Sequence, residues 1–142
     1  MTQRYFEDVV IDEELEPLER IPTVELAGGF SPGQESIMGN RFTDAAVNRE
    51  IGIRGALVPG PLKIAWLTKY VSDWAGVGAE IASIRVALRR PDVAGKPLIL
   101  SGRVVDKRIS DGVPLVELEV VTLADGQPSV RANVQVRMPA RA

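Results

Sequence analysis

The sequence predicts an α+β fold in which one curved antiparallel sheet wraps around a long central helix. Two patterns support this fold class. A long, strongly apolar segment with helical character follows Pro59-Gly60, and from Ala82 onward apolar residues recur at every second position in four successive stretches. A helix that buries its sides in a curved sheet, with strands that each have one dry face, explains both patterns together.

Length and composition indicate a single domain over 1–142. The chain has 142 residues, of which 45% are hydrophobic, enough for one buried core. Its 17 Lys and Arg against 19 Asp and Glu give a net charge of -2, and no basic stripe is present to follow a nucleic acid backbone. Cys and His are both absent, which removes disulfides and the usual zinc ligands. No apolar run approaches a membrane span. We therefore expect a cytoplasmic protein without a metal, a membrane anchor or a nucleic acid partner.

The first third of the chain is predicted to be irregular. Pro17 and Pro22 interrupt an acidic segment, and its alternating apolar residues indicate broken extended structure. These residues are Leu15, Leu18, Ile21 and Val24. The stretch GGFSPGQES is typical of a loop, and the Thr-Asp pair that ends at Asp44 predicts a short helix over about 44–50.

A longer helix is predicted from Pro59-Gly60 to Asp73 or Trp74, with Pro61 at its first position. Its apolar residues cover most of the circumference, which predicts burial on nearly all sides. They are Leu62, Ile64, Ala65, Trp66, Leu67, Tyr70, Val71 and Trp74.

Four strands are predicted after this helix, each with one apolar face. The residues assigned to the apolar faces are Ala82, Ile84, Val86 and Leu88; Leu98, Leu100, Gly102 and Val104; Val116, Leu118, Val120 and Thr122; and Val130, Ala132, Val134, Val136 and Met138. The Asp-Gly pairs in SDGVP and ADGQP predict tight turns, so the last strands should form an antiparallel meander.

The order of elements and several local strings resemble the MaoC-like acyl dehydratases, the family of (R)-specific enoyl-CoA hydratases with the hot-dog fold. The strings span most of the chain and are YFEDVVIDEEL, GALVPGPLKIAWL, LTKYVSDWAG, RRPDVAGKPLILSGRV and DGVPLVELEV. The resemblance implies a hot-dog domain whose ligand is a coenzyme A or acyl-carrier thioester, with no further cofactor. A dimer is also expected, because pairing across a two-fold axis closes an open sheet edge.

The catalytic pair of this family is missing. The family motif places an Asp five residues before a His, and that His eighteen residues before the glycine matched by Gly60; those positions here are Ile37 and Phe42. The related acyl-carrier-protein dehydratases use a His nine residues before that glycine and a carboxylate five residues after it, which here are Ile51 and Ala65. Hydration of an enoyl thioester requires groups that activate water and deliver a proton. The sequence therefore leaves open whether the chain is an enzyme of this lyase class.

The resemblance retains a thioester-binding site at the start of the helix. In the family the glycine at Gly60 presents its backbone amide there, where the helix dipole stabilises negative charge on the thioester oxygen. A simple tight turn at Pro59-Gly60-Pro61 is the structural alternative. Further candidates for substrate or coenzyme A binding are Asn40, Arg41, Pro59, Arg89 and Arg90. Surface solvation explains Asn40 and Arg41 equally well, and it is the favoured explanation for Arg89 and Arg90.

Two carboxylates and three aromatic residues complete the candidates. Hot-dog thioesterases use a single Asp or Glu, so Glu35 and Asp44 are candidates, although a loop and a first helical turn explain them without catalysis. Trp66, Tyr70 and Trp74 recur at spacing four along one helix side. Core packing is favoured for them over an aromatic wall for a bulky acyl group.

Three functions therefore stay open. The first is the noncatalytic partner of a catalytic MaoC-like subunit in a heteromeric enoyl-CoA hydratase of fatty acid or steroid metabolism. The string LTKYVSDWAG supports it, because it resembles hydratase subunits that act on steroid side-chain thioesters as heteromers. The second is an acyl-CoA thioesterase or unconventional hydratase that uses Glu35 or Asp44. The third is a ligand-sensing or structural hot-dog homodimer.

Overall fold

The computed structural model describes residues 2–29 and 57–142. Within these two ranges, a short 3₁₀ turn at Phe6–Asp8 is followed by two helices and five strands. They are β1 (Glu14–Arg20), α1 (Val24–Gly29), α2 (Gly60–Ala75), β2 (Glu80–Leu88), β3 (Leu98–Ser110), β4 (Val113–Ala124) and β5 (Gln127–Arg137). The predicted helix over 44–50 lies outside the described residues, as does the predicted loop GGFSPGQES from Phe30 onward. The loop prediction is wrong for Gly28 and Gly29, which form the end of α1.

The five strands form one antiparallel sheet in the order β1-β3-β4-β5-β2. Two tight turns join β3 to β4 and β4 to β5, and both use Asp-Gly with positive φ at each residue: 48° and 77° at Asp111-Gly112, and 52° and 74° at Asp125-Gly126. Paired positive φ values define the type I′ turn, whose twist matches that of antiparallel strands. The predicted meander is confirmed.

The core lies on the sheet face that contacts α2. Every apolar-face residue predicted for β4 and β5 is buried, together with the predicted leucines and valine of β3. The buried set is Leu98, Leu100, Val104, Val116, Leu118, Val120, Thr122, Val130, Ala132, Val134, Val136 and Met138. Alternation at period two therefore assigned the faces of these three strands correctly.

Helix α2 starts at Gly60 with Pro61 in its first turn, as predicted. The prediction of burial on nearly all sides is wrong. The sheet contacts one side of the helix, which buries Leu67 and Val71, whereas Ala65 on another side is exposed. The buried side also holds a charged residue, Lys63, that the apolar pattern did not indicate.

The segment after β1 departs from the predicted alternation. Extended structure ends at Arg20, and Val24 starts α1, where the hydroxyl of Thr23 accepts a hydrogen bond from the amide of Leu26 (3.1 Å). This cap stabilises a helical turn in place of further strand. Ile21 is consequently exposed between the two elements.

The face prediction for β2 is wrong at both of its ends. The pairing of β2 with β5 shifts register between Ile81 and Ser83, so Ile81 packs against the core in place of Ala82. A bulge of this kind reverses the alternation locally. Leu88, predicted to face the core, is 57% exposed at the end of the strand. Ile84 and Val86 pack against the core as predicted.

Strands β1 and β2 form the two edges of the described sheet, and the edges differ. β1 is interrupted by Pro17 and by a register shift between Leu15 and Leu18. β2 has nine residues, no proline, and a register shift only near its start, after which Ser83 to Leu88 pair without a break. Proline and bulges hinder pairing of an edge strand with another chain, so this unbroken part of β2 is the edge better suited to association.

Candidate functional site

Among the described residues, one backbone donor in the first turn of α2 has no acceptor. Pro59 is the N-cap residue and provides no side-chain cap. Its carbonyl accepts hydrogen bonds from the amides of Leu62 (3.2 Å) and Lys63 (3.4 Å), and Pro61 has no amide hydrogen. Within residues 2–29 and 57–142, the amide of Gly60 has no acceptor. A helix start of this kind favours a carbonyl oxygen or an anion as ligand.

A pocket of about 270 Å³ adjoins this helix start. It is lined by Val58, Gly60, Lys63, Leu88, Arg89, Arg90 and Pro91. The structure thus brings together Gly60, Arg89 and Arg90, three of the residues that the sequence indicated, and their binding to a ligand stays a prediction.

Gly60 keeps the pocket open beside its own amide. A Cβ atom at this position would lie 3.0 Å from Cδ1 of Leu88, a contact that requires Leu88 to move. The φ angle of Gly60 is not in the left-handed region, so the backbone itself does not require glycine here. The closeness of the Leu88 side chain is therefore the reason that a residue without a side chain fits best at position 60.

A buried ion pair lies beneath this pocket. The ammonium of Lys63 is 3.0 Å from Oδ2 of Asp92, and the two side chains are only 3% and 4% exposed. The same ammonium donates a longer hydrogen bond, 3.3 Å, to the carbonyl of Arg90. Sequence reasoning missed this pair. The available signal was the position of a single lysine directly after Leu62 inside the apolar run PLKIAWL, on the side of the helix that the sheet covers.

The loop that carries the two arginines, residues 89–97, is fixed at both sides. The amide of Arg89 donates to the carbonyl of Ser129 in β5 (2.8 Å). The amide of Val58, just before α2, donates to the carbonyl of Asp92 (2.8 Å). The loop is therefore hydrogen-bonded both to the sheet and to the segment that leads into the helix.

The aromatic residues of α2 belong to the core. Tyr70 is buried and its hydroxyl donates to the carbonyl of Glu16 (2.7 Å), while Trp66 and Trp74 are partly buried against the core. Burial raises the pKa of Tyr70 to about 12, and the charge of Glu16 adds to this effect. Tyr70 therefore keeps its proton at neutral pH and ties the helix to β1. The core-packing interpretation is confirmed for these residues.

Several predicted site residues lie outside the described residues, and their roles stay predictions. They are Glu35, Ile37, Asn40, Arg41, Phe42, Asp44 and Ile51. Of the alternative dehydratase positions, only Ala65 is described, and it lies on the exposed side of α2.

Across the described parts of the chain, no cluster of three or more acidic, His or Cys side chains is arranged to hold a metal ion. No helix in those parts has the length and apolar character needed to cross a bilayer.

Comparison with known proteins gives matches at the level of structure. No protein family description and no curated protein matches this sequence. A chain of the ChsH1-ChsH2 complex from Mycobacterium tuberculosis superposes with a TM-score of 0.76 at 24% identity, over 91% of this chain and 98% of that chain. The (R)-hydratase from A. caviae involved in PHA biosynthesis superposes with a TM-score of 0.80 at 15% identity, over 94% of this chain and 99% of that chain.

A chain of the HadBC (3R-hydroxyacyl-ACP dehydratase) complex from Mycobacterium tuberculosis gives a TM-score of 0.73 at 15% identity, over 89% of this chain and 95% of that chain. The chain has the hot-dog fold. The hot-dog fold predicted from the sequence is thereby confirmed, and the neighbours that share it include MaoC-like dehydratases and (R)-hydratases, as the sequence resemblance implied.

Proposed function

We propose that this hot-dog protein binds acyl thioesters of coenzyme A or of an acyl carrier and acts as the noncatalytic member of a heteromeric enoyl thioester hydratase. One observation carries the proposal. Gly60, whose amide has no acceptor among the described residues, lines a pocket together with two arginines, in a chain whose sequence contains no histidine.

The chemistry of the pocket suits the two polar ends of such a ligand. The amide of Gly60, aided by the helix dipole, is a donor for the thioester carbonyl oxygen. The side chains of Arg89 and Arg90 are exposed beside it and can extend toward the phosphates of the carrier arm. These groups can bind the ligand and polarise its thioester carbonyl, but none of them is suited to exchange a proton with the substrate at neutral pH.

A partner with its own acid-base pair would supply the missing chemistry. Two of the structural neighbours come from complexes, ChsH1-ChsH2 and HadBC, and both superpose over most of this chain. The unbroken part of edge strand β2, from Ser83 to Leu88, provides a surface for pairing with a second hot-dog sheet. These observations support assembly as a dimer, and the proposal is that the partner is a catalytic hot-dog subunit.

Ligand binding is tested by calorimetry with crotonyl-CoA, free coenzyme A and a crotonylated acyl carrier. We expect Arg89→Ala with Arg90→Ala to weaken binding of the coenzyme A ligands by roughly thirtyfold, since two charged contacts of about 1 kcal/mol each are lost. Arg108→Ala is the matched control, because Arg108 is an arginine at the far end of β3. Equal losses in both variants, or no binding by the unaltered protein, would contradict the proposed site.

Catalysis is tested by following enoyl thioester absorbance with this protein alone, with a catalytic hot-dog subunit alone, and with both. We expect no hydration by this protein alone and a higher kcat/KM for the mixture than for the catalytic subunit alone. Hydration by the isolated protein would overturn the noncatalytic assignment. Release of free thiol, abolished by replacing Glu35 or Asp44, would establish a thioesterase instead.

Pairing through β2 is tested with prolines at two neighbouring positions, Arg85→Pro and Val86→Pro. Successive amides of an edge strand point alternately to the neighbouring strand and to the open edge. One proline therefore removes a bond to β5 and lowers the stability of the chain, while the other dissociates the dimer with the fold intact. Circular dichroism and analytical ultracentrifugation separate the two results. A dimer that survives both substitutions does not pair through β2.

A further inference from the structure

The buried pair Lys63–Asp92 needs an explanation beyond stability. Its two side chains are almost fully withdrawn from water. Taking both charges out of water offsets most of their mutual attraction, so a well-packed apolar pair of similar volume would be about as stable. The pair nevertheless occupies a site where the surrounding helix is strongly apolar. Something other than the free energy of folding therefore favours charge at this place.

The contacts of Lys63 indicate a geometric role. Residue 63 lies three positions after Gly60, on the first turns of α2, and its ammonium bonds both the side chain of Asp92 and the carbonyl of Arg90. Both partners lie in the loop that carries the arginines of the pocket. One side chain thus connects the helix start to that loop at two points.

The contacts of Lys63 add to the backbone contacts between the same loop and the segment that precedes α2. The bond from the amide of Val58 to the carbonyl of Asp92 joins the loop to the segment before the helix. Together with the bridge between Leu57 and Val93, this bond holds the loop against the two residues that precede Pro59, but it does not reach the helix itself. Lys63 contacts the same loop from within the helix, so the loop is attached on both sides of Gly60, and this attachment limits how far the Gly60 amide can turn relative to the arginines.

We infer that Lys63 and Asp92 are positioning residues that fix the direction of the Gly60 amide relative to Arg89 and Arg90. The two ends of a thioester ligand, its carbonyl and its carrier phosphates, then meet donors held in one arrangement. Donors that are held in place bind more tightly than equally strong donors that must first be ordered. This inference rests on the proposed thioester-binding function.

The decisive variant is the double replacement Lys63→Met with Asp92→Leu. It removes both charges, so no unpaired charge stays buried, and it retains apolar volume. We expect a melting temperature within a few degrees of the unaltered protein and binding of crotonyl-CoA weakened about tenfold, the loss that one misplaced hydrogen bond produces. A purely structural pair would leave affinity unchanged in this folded variant, and that result would overturn the inference.

The matched control lies on the same helix. Lys69 and Asp73 form an exposed pair at spacing four, with 2.7 Å between Nζ and Oδ2. Replacing them by Met and Leu makes the same chemical change away from the pocket, and we expect it to leave the affinity as it was. An equal loss of affinity in both double variants would contradict a specific role for Lys63 and Asp92.

Hydrogen exchange measured by mass spectrometry provides a readout that needs no ligand. We expect faster exchange in the double variant within 57–67 and 89–97 and unchanged exchange in β4 and β5. If the unaltered protein binds no thioester, the proposed function fails, and hydrogen exchange alone tests the positioning role. The role is then overturned if each segment exchanges at the same rate in the double variant and in the unaltered protein.

Should the double variant not fold, Lys63→Arg supplies the test. It keeps the positive charge but inserts a longer, planar group that displaces the loop. Weaker binding in the folded variant supports the inference, and unaltered binding overturns it.

Discussion

The two ends of α2 are built for different purposes. At the carboxyl end, Gly76 adopts φ 84° and ψ -166°, its amide donates to the carbonyl of Ser72 (3.1 Å), and the amide of Val77 donates to the carbonyl of Thr2 (3.1 Å). At the amino end, the amide of Gly60 has no acceptor within the described ranges, and a pocket lies beside it. One end is closed by backbone contacts, and the other keeps a donor available.

This contrast separates residues that hold the helix from residues that contact a ligand under the proposed function. Closure at Gly76 leaves no space: a Cβ there would lie 2.1 Å from the carbonyl oxygen of Thr2. At Gly60 the tightest contact of a Cβ, 3.0 Å, is with the mobile end of a leucine side chain. We therefore expect changes at the carboxyl end to lower stability and changes at Gly60 to lower binding.

The largest loss of stability is expected for Lys63→Met alone. The substitution leaves Asp92 buried without its partner, which costs about 3–5 kcal/mol. Urea unfolding of the single variant and of Lys63→Met with Asp92→Leu measures the effect, and the double variant should regain most of the loss. A single variant as stable as the unaltered protein would show that water reaches Asp92.

Gly76→Ala comes next, with an expected loss of about 3 kcal/mol. Its φ and ψ lie in a region that only glycine occupies readily, and the added methyl group overlaps the carbonyl of Thr2. The variant should unfold at lower urea concentration while the folded fraction binds crotonyl-CoA normally. If Gly76→Ala weakened binding without lowering stability, the expectation that only the amino end of α2 affects binding would be wrong.

Tyr70→Phe should cost about 1 kcal/mol at neutral pH, because the hydrogen bond to the carbonyl of Glu16 is lost. The pKa of Tyr70 in the folded protein is raised to about 12, above the value of about 10 for an unfolded chain. The stability that the protonated Tyr70 side chain provides is thus complete below pH 10 and is lost as the pH rises toward 12. Unfolding experiments across this window should show a smaller decline for the variant than for the unaltered protein.

Gly60→Ala should change stability by less than about 1 kcal/mol, because better helix propensity offsets the contact with Leu88. Thioester binding should fall, since the methyl group occupies space beside the free amide. Gly60→Ala with Leu88→Ala is the control that removes the contact. Full recovery of binding in this double variant would mean that displacement of Leu88, and not the methyl group, causes the loss.

The smallest effect is expected for Lys69→Ala, on the exposed middle of α2. Its ion pair with Asp73 lies in water, where such pairs contribute about 0.3–0.5 kcal/mol. Unfolding at low and high salt should show that small difference disappearing as salt increases. A loss of several kcal/mol would indicate that this face of the helix is covered by another part of the assembly.

Much of the sheet was predictable because its causes are local. The faces of β4 and β5 follow from period-two alternation, and the turns at Asp111 and Asp125 follow from the Asp-Gly pairs that type I′ geometry favours. The start of α2 likewise follows from Pro59-Gly60-Pro61. In each case the residues that determine the structure are neighbours in the sequence.

The unpredicted features depend on contacts between distant segments. Lys63 and Asp92 are 29 positions apart, and nothing in either local sequence specifies the other. The register shift at Ile81 is set by pairing with β5 and has no marker within β2. Gly60 and the arginines of the pocket were identified by resemblance, whereas the ion pair beneath them could be found only in three dimensions.

The order of strands has a consequence for synthesis of the chain. Among the described strands, β2 precedes the meander in sequence, yet its one partner is β5, the third strand to follow it. Until β5 leaves the ribosome, β2 lacks its hydrogen-bonding neighbour and α2 lacks part of the surface that covers its apolar side. We expect nascent chains arrested before β5 to be sensitive to protease and to associate with chaperones, and chains extended beyond it to acquire resistance in a single step.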